Sequence, residues 1–137
     1  MEFRFLGLAR RTFVFYSVTK GSVTVEDRMI RRAGNRETDL DRYVAEVLLG
    51  PASPDLSPLF PPETRLRSIL YRDGVVYADL SEPAALPVSE GGDTFRNFLV
   101  LNEGIRRNFS YVKDVRLFVA GNPAYTGEFE GIFPPNF

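Results

Sequence analysis

Apolar residues recur along the chain with two different periods. In residues 38–50, TDLDRYVAEVLLG, the positions Leu40, Tyr43, Val44, Val47 and Leu48 fall at i, i+3, i+4, i+7 and i+8. That spacing predicts a helix with one buried face. Thr38 stands where an N-cap belongs, with Asp41 three residues later as an Asp version of the capping box. Gly50 can adopt the left-handed stop, and Pro51 cannot continue the helix. A second stripe, Phe95, Phe98, Leu99, Ile105 and Phe109, predicts a helix over 94–109 capped by Asp93 or Thr94. Asn102 falls in the middle of that apolar face. Gly104 weakens this helix by about 1 kcal/mol relative to Ala.

Elsewhere the pattern is that of strands. Residues 12–18, TFVFYSV, are rich in β-branched and aromatic types. Lys20-Gly21-Ser22 turns the chain, and 23–32, VTVEDRMIRR, pairs back on the first strand. Residues 65–71, RLRSILY, lead through Asp73-Gly74 into the returning strand 75–80, VVYADL. Residues 114–120, DVRLFVA, form a further strand, and Gly121-Asn122-Pro123 turns after it. Residues 51–63 carry five prolines and read as an extended crossover pinned to the core by Leu56, Leu59 and Phe60. Residues 82–93 form a second long loop ending in Glu90-Gly91-Gly92. The order is β-β-α-β-β-α-β. It predicts one α+β domain over 1–137, a two-layer sandwich of a mixed or antiparallel sheet with two helices packed on one face. An aromatic, Gly- and Pro-rich tail over 123–137 adds at most a short edge strand.

Composition narrows the chemistry. With 137 residues, 44% hydrophobic and 26% charged, the chain suits one globular domain with a real core. A net charge of -1 gives no electrostatic case for nucleic acid or an anionic membrane. There is no cysteine and no histidine. Thiolate nucleophiles, Ser-His-Asp catalysis and Cys- or His-based metal sites are therefore excluded. No run of 18 apolar residues exists. The start, MEFRFLGLARRTFVFY, lacks the order of a signal peptide. No phosphate loop, Rossmann glycine pattern or zinc spacing is present, so no cofactor is expected.

The candidate site residues each have a structural alternative. Asp39-x-Asp41 resembles a metal or phosphoryl-transfer pair, but first-turn acids also suit a helix N-terminus. Asp73-Gly74 fits a tight hairpin turn. Tyr77, Asp79 and Ser81 alternate on one polar face of a strand whose other face is Val76, Ala78 and Leu80. Those three residues and Asn102 form the candidate ligand or partner surface. Against this, Ser81 suits a turn or cap before Glu82-Pro83, and Asn102 suits a donor to a backbone carbonyl, for example in the proline-rich crossover. Arg10, Arg11, Arg31, Arg32, Arg36, Arg106 and Arg107 would make an anion patch if folding gathered them. The tail FEGIFPPNF offers aromatics to a partner or to the N-terminal FRFLGL segment.

The ordered motifs resemble one family. YVAEVLLGP at 43–51, LFPPETRLRSILYRDGVVYADLSEP at 59–83, and TFRNFLVLNEGIRRN with VKDVRLFVAGN over 94–122 are similar to the GerMN domain of sporulation and spore-germination proteins. The pattern falls on Leu48-Leu49-Gly50-Pro51, on Pro62 through Leu66, on Asp73-Gly74 through Asp79-Leu80-Ser81, and on Val115 through Gly121. It covers 38–122 best. The resemblance implies an α+β domain usually found outside the cytoplasm on lipoproteins or membrane-anchored proteins. It also implies likeness to ring-building modules of sporulation assemblies, and no catalytic residues. The implied location is extracytoplasmic and envelope-associated. Any membrane contact would run through an N-terminal anchor these residues do not contain, and a cytoplasmic location stays open.

Three functions are consistent with these features. The leading one is a non-enzymatic interaction or assembly domain with a protein partner or a second copy, using exposed sheet edges. The second is a small-ligand or cell-wall glycan module using Tyr77, Asp79, Ser81 and the Gly91-Gly92 loop. The third is a hydrolase, which requires Asp79 with Glu82 or Glu103 in one cleft and one raised pKa.

Overall fold

The computed structural model describes residues 7–89 and 92–124. The aromatic tail from 125, the N-terminal residues 1–6 and Glu90-Gly91 lie outside the described residues. The chain opens with a long hairpin, β1 (Leu8–Ser17) and β2 (Ser22–Arg31). Its register runs unbroken from Leu8↔Arg31 to Ser17↔Ser22. Alternation sends Phe13 and Phe15 of β1 into the core.

Helix α1 spans Arg36–Leu49, and its cap lies three residues before the expected Thr38. Asn35 is the N-cap, and its Oδ1 accepts the Thr38 N–H at 2.8 Å. The carboxylate of Asp39 reaches back to the Ala33 N–H at 2.7 Å, which ties the incoming loop to the first turn. Asn caps at least as well as Thr. Arg36 and Glu37 are exposed and add nothing to the apolar stripe, so periodicity alone places the start too late. The buried face is the expected one, Leu40, Tyr43, Val44 and Val47. Gly50 ends the helix at φ 89°, where its N–H bonds the Val47 carbonyl.

The proline-rich crossover is held as expected by buried Leu56, Leu59 and Phe60. It also contributes a two-residue strand, β3 (Leu56–Ser57), against β1. The second half comprises β4 (Leu66–Arg72), β5 (Val75–Leu80), a 3-10 turn at Glu82–Ala85, α2 (Thr94–Asn108), β6 (Asp114–Val119) and β7 (Asn122–Pro123). Asp73 and Gly74 both take positive φ, 52° and 82°, as the hairpin turn requires. The class is α+β, and the strands hydrogen-bond as two sheets, β2-β1-β3 and β4-β5-β6-β7. β5 and β6 are parallel, with α2 as the crossover between them, and the remaining pairs are antiparallel.

Both sheets and both helices share one core. Tyr43 of α1 stacks on Phe13 at 4.8 Å and meets Phe109 edge-on at 5.7 Å. Gly104 of α2 has a packing role that offsets its low helix propensity. A Cβ there would lie 2.6 Å from the Tyr43 hydroxyl, so only glycine lets the two helices approach.

Candidate functional site

The residues singled out on β5 sit where three strand ends converge. Tyr77, Asp79 and Ser81 alternate with buried Val76, Ala78 and Leu80, as the pattern requires. Two of the three are engaged by backbone. One Asp79 carboxylate oxygen accepts the Gly121 N–H at 3.0 Å, and the other faces Arg67 at 3.4 Å. The carboxylate thereby holds the turn after β6, where Ala120 and Gly121 both take positive φ. Ser81 Oγ accepts the Arg65 N–H at 2.7 Å, and the Ser81 N–H donates to the Arg65 carbonyl at 2.8 Å. The Ser81 carbonyl then accepts from Ala84 in the 3-10 turn at 3.0 Å. Asp79 and Ser81 thus form a clasp joining the entry of β4, the exit of β5 and the exit of β6. Tyr77 remains partly exposed on the outer face, between Leu70 of β4 and Arg116 of β6.

Asn102 is not part of that face. It lies on α2, on the helix-covered side of the sheet, and donates to the Val115 carbonyl of β6 at 3.2 Å. The recipient is β6 rather than the proline-rich crossover, because α2 lies along β6. Asp39 is engaged in the cap, whereas Asp41 lines a groove of about 450 Å³ between α1 and the entry of β4. The arginines are not gathered into one patch. Arg10 pairs with Asp27 at 2.6 Å, and Arg11 lies over Phe109. Arg36 lies over Tyr111, and Arg106 and Arg107 both pair with Glu103.

The two carboxylates weighed as partners of Asp79 are also placed apart in role. Burial opposes ionisation of Glu103, but the hydrogen bonds from Arg107 and Arg106 outweigh it and hold its carboxyl below the usual range. A general acid needs the opposite shift. Glu82 lines a groove of about 480 Å³ whose walls include Phe95, Phe98 and Val119. Among the described residues, no three acids come together as a metal site. No described helix is long and apolar enough to cross a membrane.

Two polar residues that the sequence pattern does not flag organise the other sheet. Arg28 of β2 reaches Glu26, Glu46 at 3.2 Å and the Gly50 carbonyl at 2.7 Å, and it lies over Phe13 at 4.9 Å. Asn108, at the end of α2, exchanges hydrogen bonds with the N–H and C=O of Thr12, both at 2.8 Å. Its amide side chain therefore takes the place of a neighbouring strand beside β1. An arginine beside acids in a strand and an Asn closing a helix are the traces of these roles in the sequence.

With this geometry in hand, comparison gives a consistent result. The family model described as Germane, sporulation and spore germination, matches residues 13–125. A Clostridium perfringens protein described as a lipoprotein shares the fold with a TM-score of 0.55 at 18% identity, over 89% of this chain and 81% of that one. The tandem GerMN domains of the Bacillus subtilis sporulation protein GerM match with a TM-score of 0.61 at 16% identity, over 89% of this chain and 42% of that one. The first GerMN domain of that protein gives 0.59 at 14% identity, over 82% and 85%. At these identities the likeness is one of fold. No curated protein sequence matches the chain.

Proposed function

This chain belongs to the Germane family of sporulation and spore-germination domains, and from that premise we propose that it is a non-enzymatic interaction or assembly domain of the cell envelope. The observation that carries the reading is the clasp. The side chains that looked most like chemistry accept or donate hydrogen bonds to backbone: Asp79 with Gly121, Ser81 with Arg65, Asn102 with Val115, and Asp39 with Ala33. A carboxylate fixed this way serves the fold, and a domain built this way acts through its surface. The extracytoplasmic location is supported by the kinds of protein that share the fold, a lipoprotein and a sporulation protein.

The test follows the chain in the cells that produce it. The epitope-tagged gene product should fractionate with the envelope and be digested by protease added outside intact cells. In-cell crosslinking should join it to an envelope protein or to itself. Recovery in the cytosolic fraction, protected from external protease, would overturn the reading. The glycan alternative keeps only Tyr77 with a free polar tip on its proposed surface. A thermal shift with peptidoglycan fragments that is lost in Tyr77→Ala would favour that alternative.

A further inference from the structure

We propose that β2 is a docking edge on which a second copy of this chain pairs antiparallel, and this rests on the assembly reading above. Among the described residues, the four terminal edges of the two sheets differ sharply. β3 and β7 are two residues each, too short to template a partner. β4 carries a register shift between Leu66 and Ser68, and its Tyr71 N–H is capped by the Glu37 carboxylate at 3.0 Å. β2 has neither defence. It is ten residues long, contains no proline, and pairs with β1 without a bulge.

The phase of the ladder says which backbone groups face outward. The Arg32 N–H donates to the Gly7 carbonyl, which makes the even-numbered residues of β2 the hydrogen-bonded partners of β1. Thr12 agrees: opposite Asp27, it turns its N–H and C=O away from β2 to Asn108. The N–H and C=O groups of Val23, Val25, Asp27 and Met29 therefore point away from β1. Among the described residues none of them meets a hydrogen-bonding partner. Beyond Met29 the edge closes, since the Arg31 carbonyl accepts from Arg42 and the Ala33 N–H is bound by Asp39. The open stretch spans about 20–24 Å, at about 3.4 Å per residue.

The side chains on this stretch complement themselves. With the two-fold axis at Asp27, Val25 faces Met29 of the second copy and Met29 faces its Val25. On the other face Glu26 and Arg28 stay paired within their own copy, with Glu46, the Gly50 carbonyl and the Ala52 and Ser53 amides, so that face brings no unpaired charge to the second copy. Val25 and Met29 are the apolar side chains β2 leaves exposed, at 49% and 59%. Asp27 meets its own copy, which disfavours pairing. Its charge is already paired with Arg10 at 2.6 Å, and the Thr12 hydroxyl donates to it at 2.9 Å. The product is a six-stranded antiparallel sheet, β3-β1-β2 continued by β2-β1-β3.

Sedimentation of the full chain should show a reversible monomer–dimer equilibrium. Val25→Pro removes one outward N–H without touching a bond to β1, and should weaken the dimer about tenfold or more. Met29→Lys, which leaves the backbone unchanged, should do the same while the circular dichroism stays native. Because the chain has no cysteine, single-cysteine variants report the register. Asp27→Cys should crosslink with its copy under oxidation. Val18→Cys, at the exposed hairpin tip, should not. A wild type that stays monomeric at every concentration, or dimers that crosslink through Val18→Cys but not Asp27→Cys, would overturn the proposal. A monomer that is still envelope-located and crosslinked to another protein would remove this inference and leave the assembly reading standing.

Discussion

Replacing Gly104 by Ala is the sharpest test of how the helices pack. In a free helix the change would stabilise by about 1 kcal/mol. Here the new Cβ would sit 2.6 Å from the Tyr43 hydroxyl. Tyr43 is only 2% exposed, and its ring is held between Phe13 and Phe109. Its hydroxyl donates to the Thr12 carbonyl at 3.2 Å, so it has no free direction to move. Overpacking of this kind costs about 1–3 kcal/mol. Set against the propensity gain, Gly104→Ala should be destabilising, by up to about 2 kcal/mol. Tyr43→Phe alone should cost about 1 kcal/mol, since the Thr12 carbonyl keeps the Asn108 donor. In the double variant the Cβ faces the ring carbon at 3.7 Å, an ordinary contact. That variant should lie within about 1 kcal/mol of wild type, a coupling of about 1–3 kcal/mol. Urea unfolding followed by far-UV circular dichroism measures all four, as there is no tryptophan to follow. A Gly104→Ala variant that is more stable than wild type, or strict additivity in the cycle, would refute the packing argument.

Two further outcomes are expected. Arg28→Met should destabilise by about 2–3 kcal/mol in the same assay, because Glu26, Glu46 and the Gly50 carbonyl lose their shared donor; Arg28→Lys should restore only part, since a single ammonium cannot reproduce the guanidinium fork. Stability should be nearly flat between about pH 5 and 8, where no histidine titrates, and should fall below about pH 4.5. The sign comes from carboxyls held below their ordinary values. For Glu26, burial opposes ionisation but the Arg28 bond and the Ala52 and Ser53 amides outweigh it; for Asp27, the Arg10 bond leads. Their contribution is complete above the unfolded pKa and is lost as pH falls through the folded one. Thermal melts across pH check this, and an acid limb unchanged in Glu26→Gln would contradict it.

Much of the fold was legible because it rests on local rules. The apolar stripe of 40–48 named the buried face of α1, and Asp73-Gly74 named its turn through positive φ. The motif order named the family. Less legible was whatever depends on partners distant in sequence. Nothing near Leu56 says that a proline-rich crossover will pair two residues with β1. The division into two sheets and the glycine that admits Tyr43 are likewise set by contacts across the chain. For the site, alternation correctly put Tyr77, Asp79 and Ser81 on one face. It could not show that Gly121 and Arg65 would arrive to engage two of them, or that Asn102 would serve β6 from the other side.

The central claim is that the apparent site on β5 is a clasp of the fold. Amide hydrogen exchange at Gly121 and Arg65 tests it most directly. Both amides should be protected in the wild type, with Gly121 released selectively in Asp79→Ala and Arg65 in Ser81→Ala. Fast exchange at both amides in the wild type, or protection unchanged in the two variants, would mean that the carboxylate and hydroxyl are free to meet a ligand, and would contradict the account.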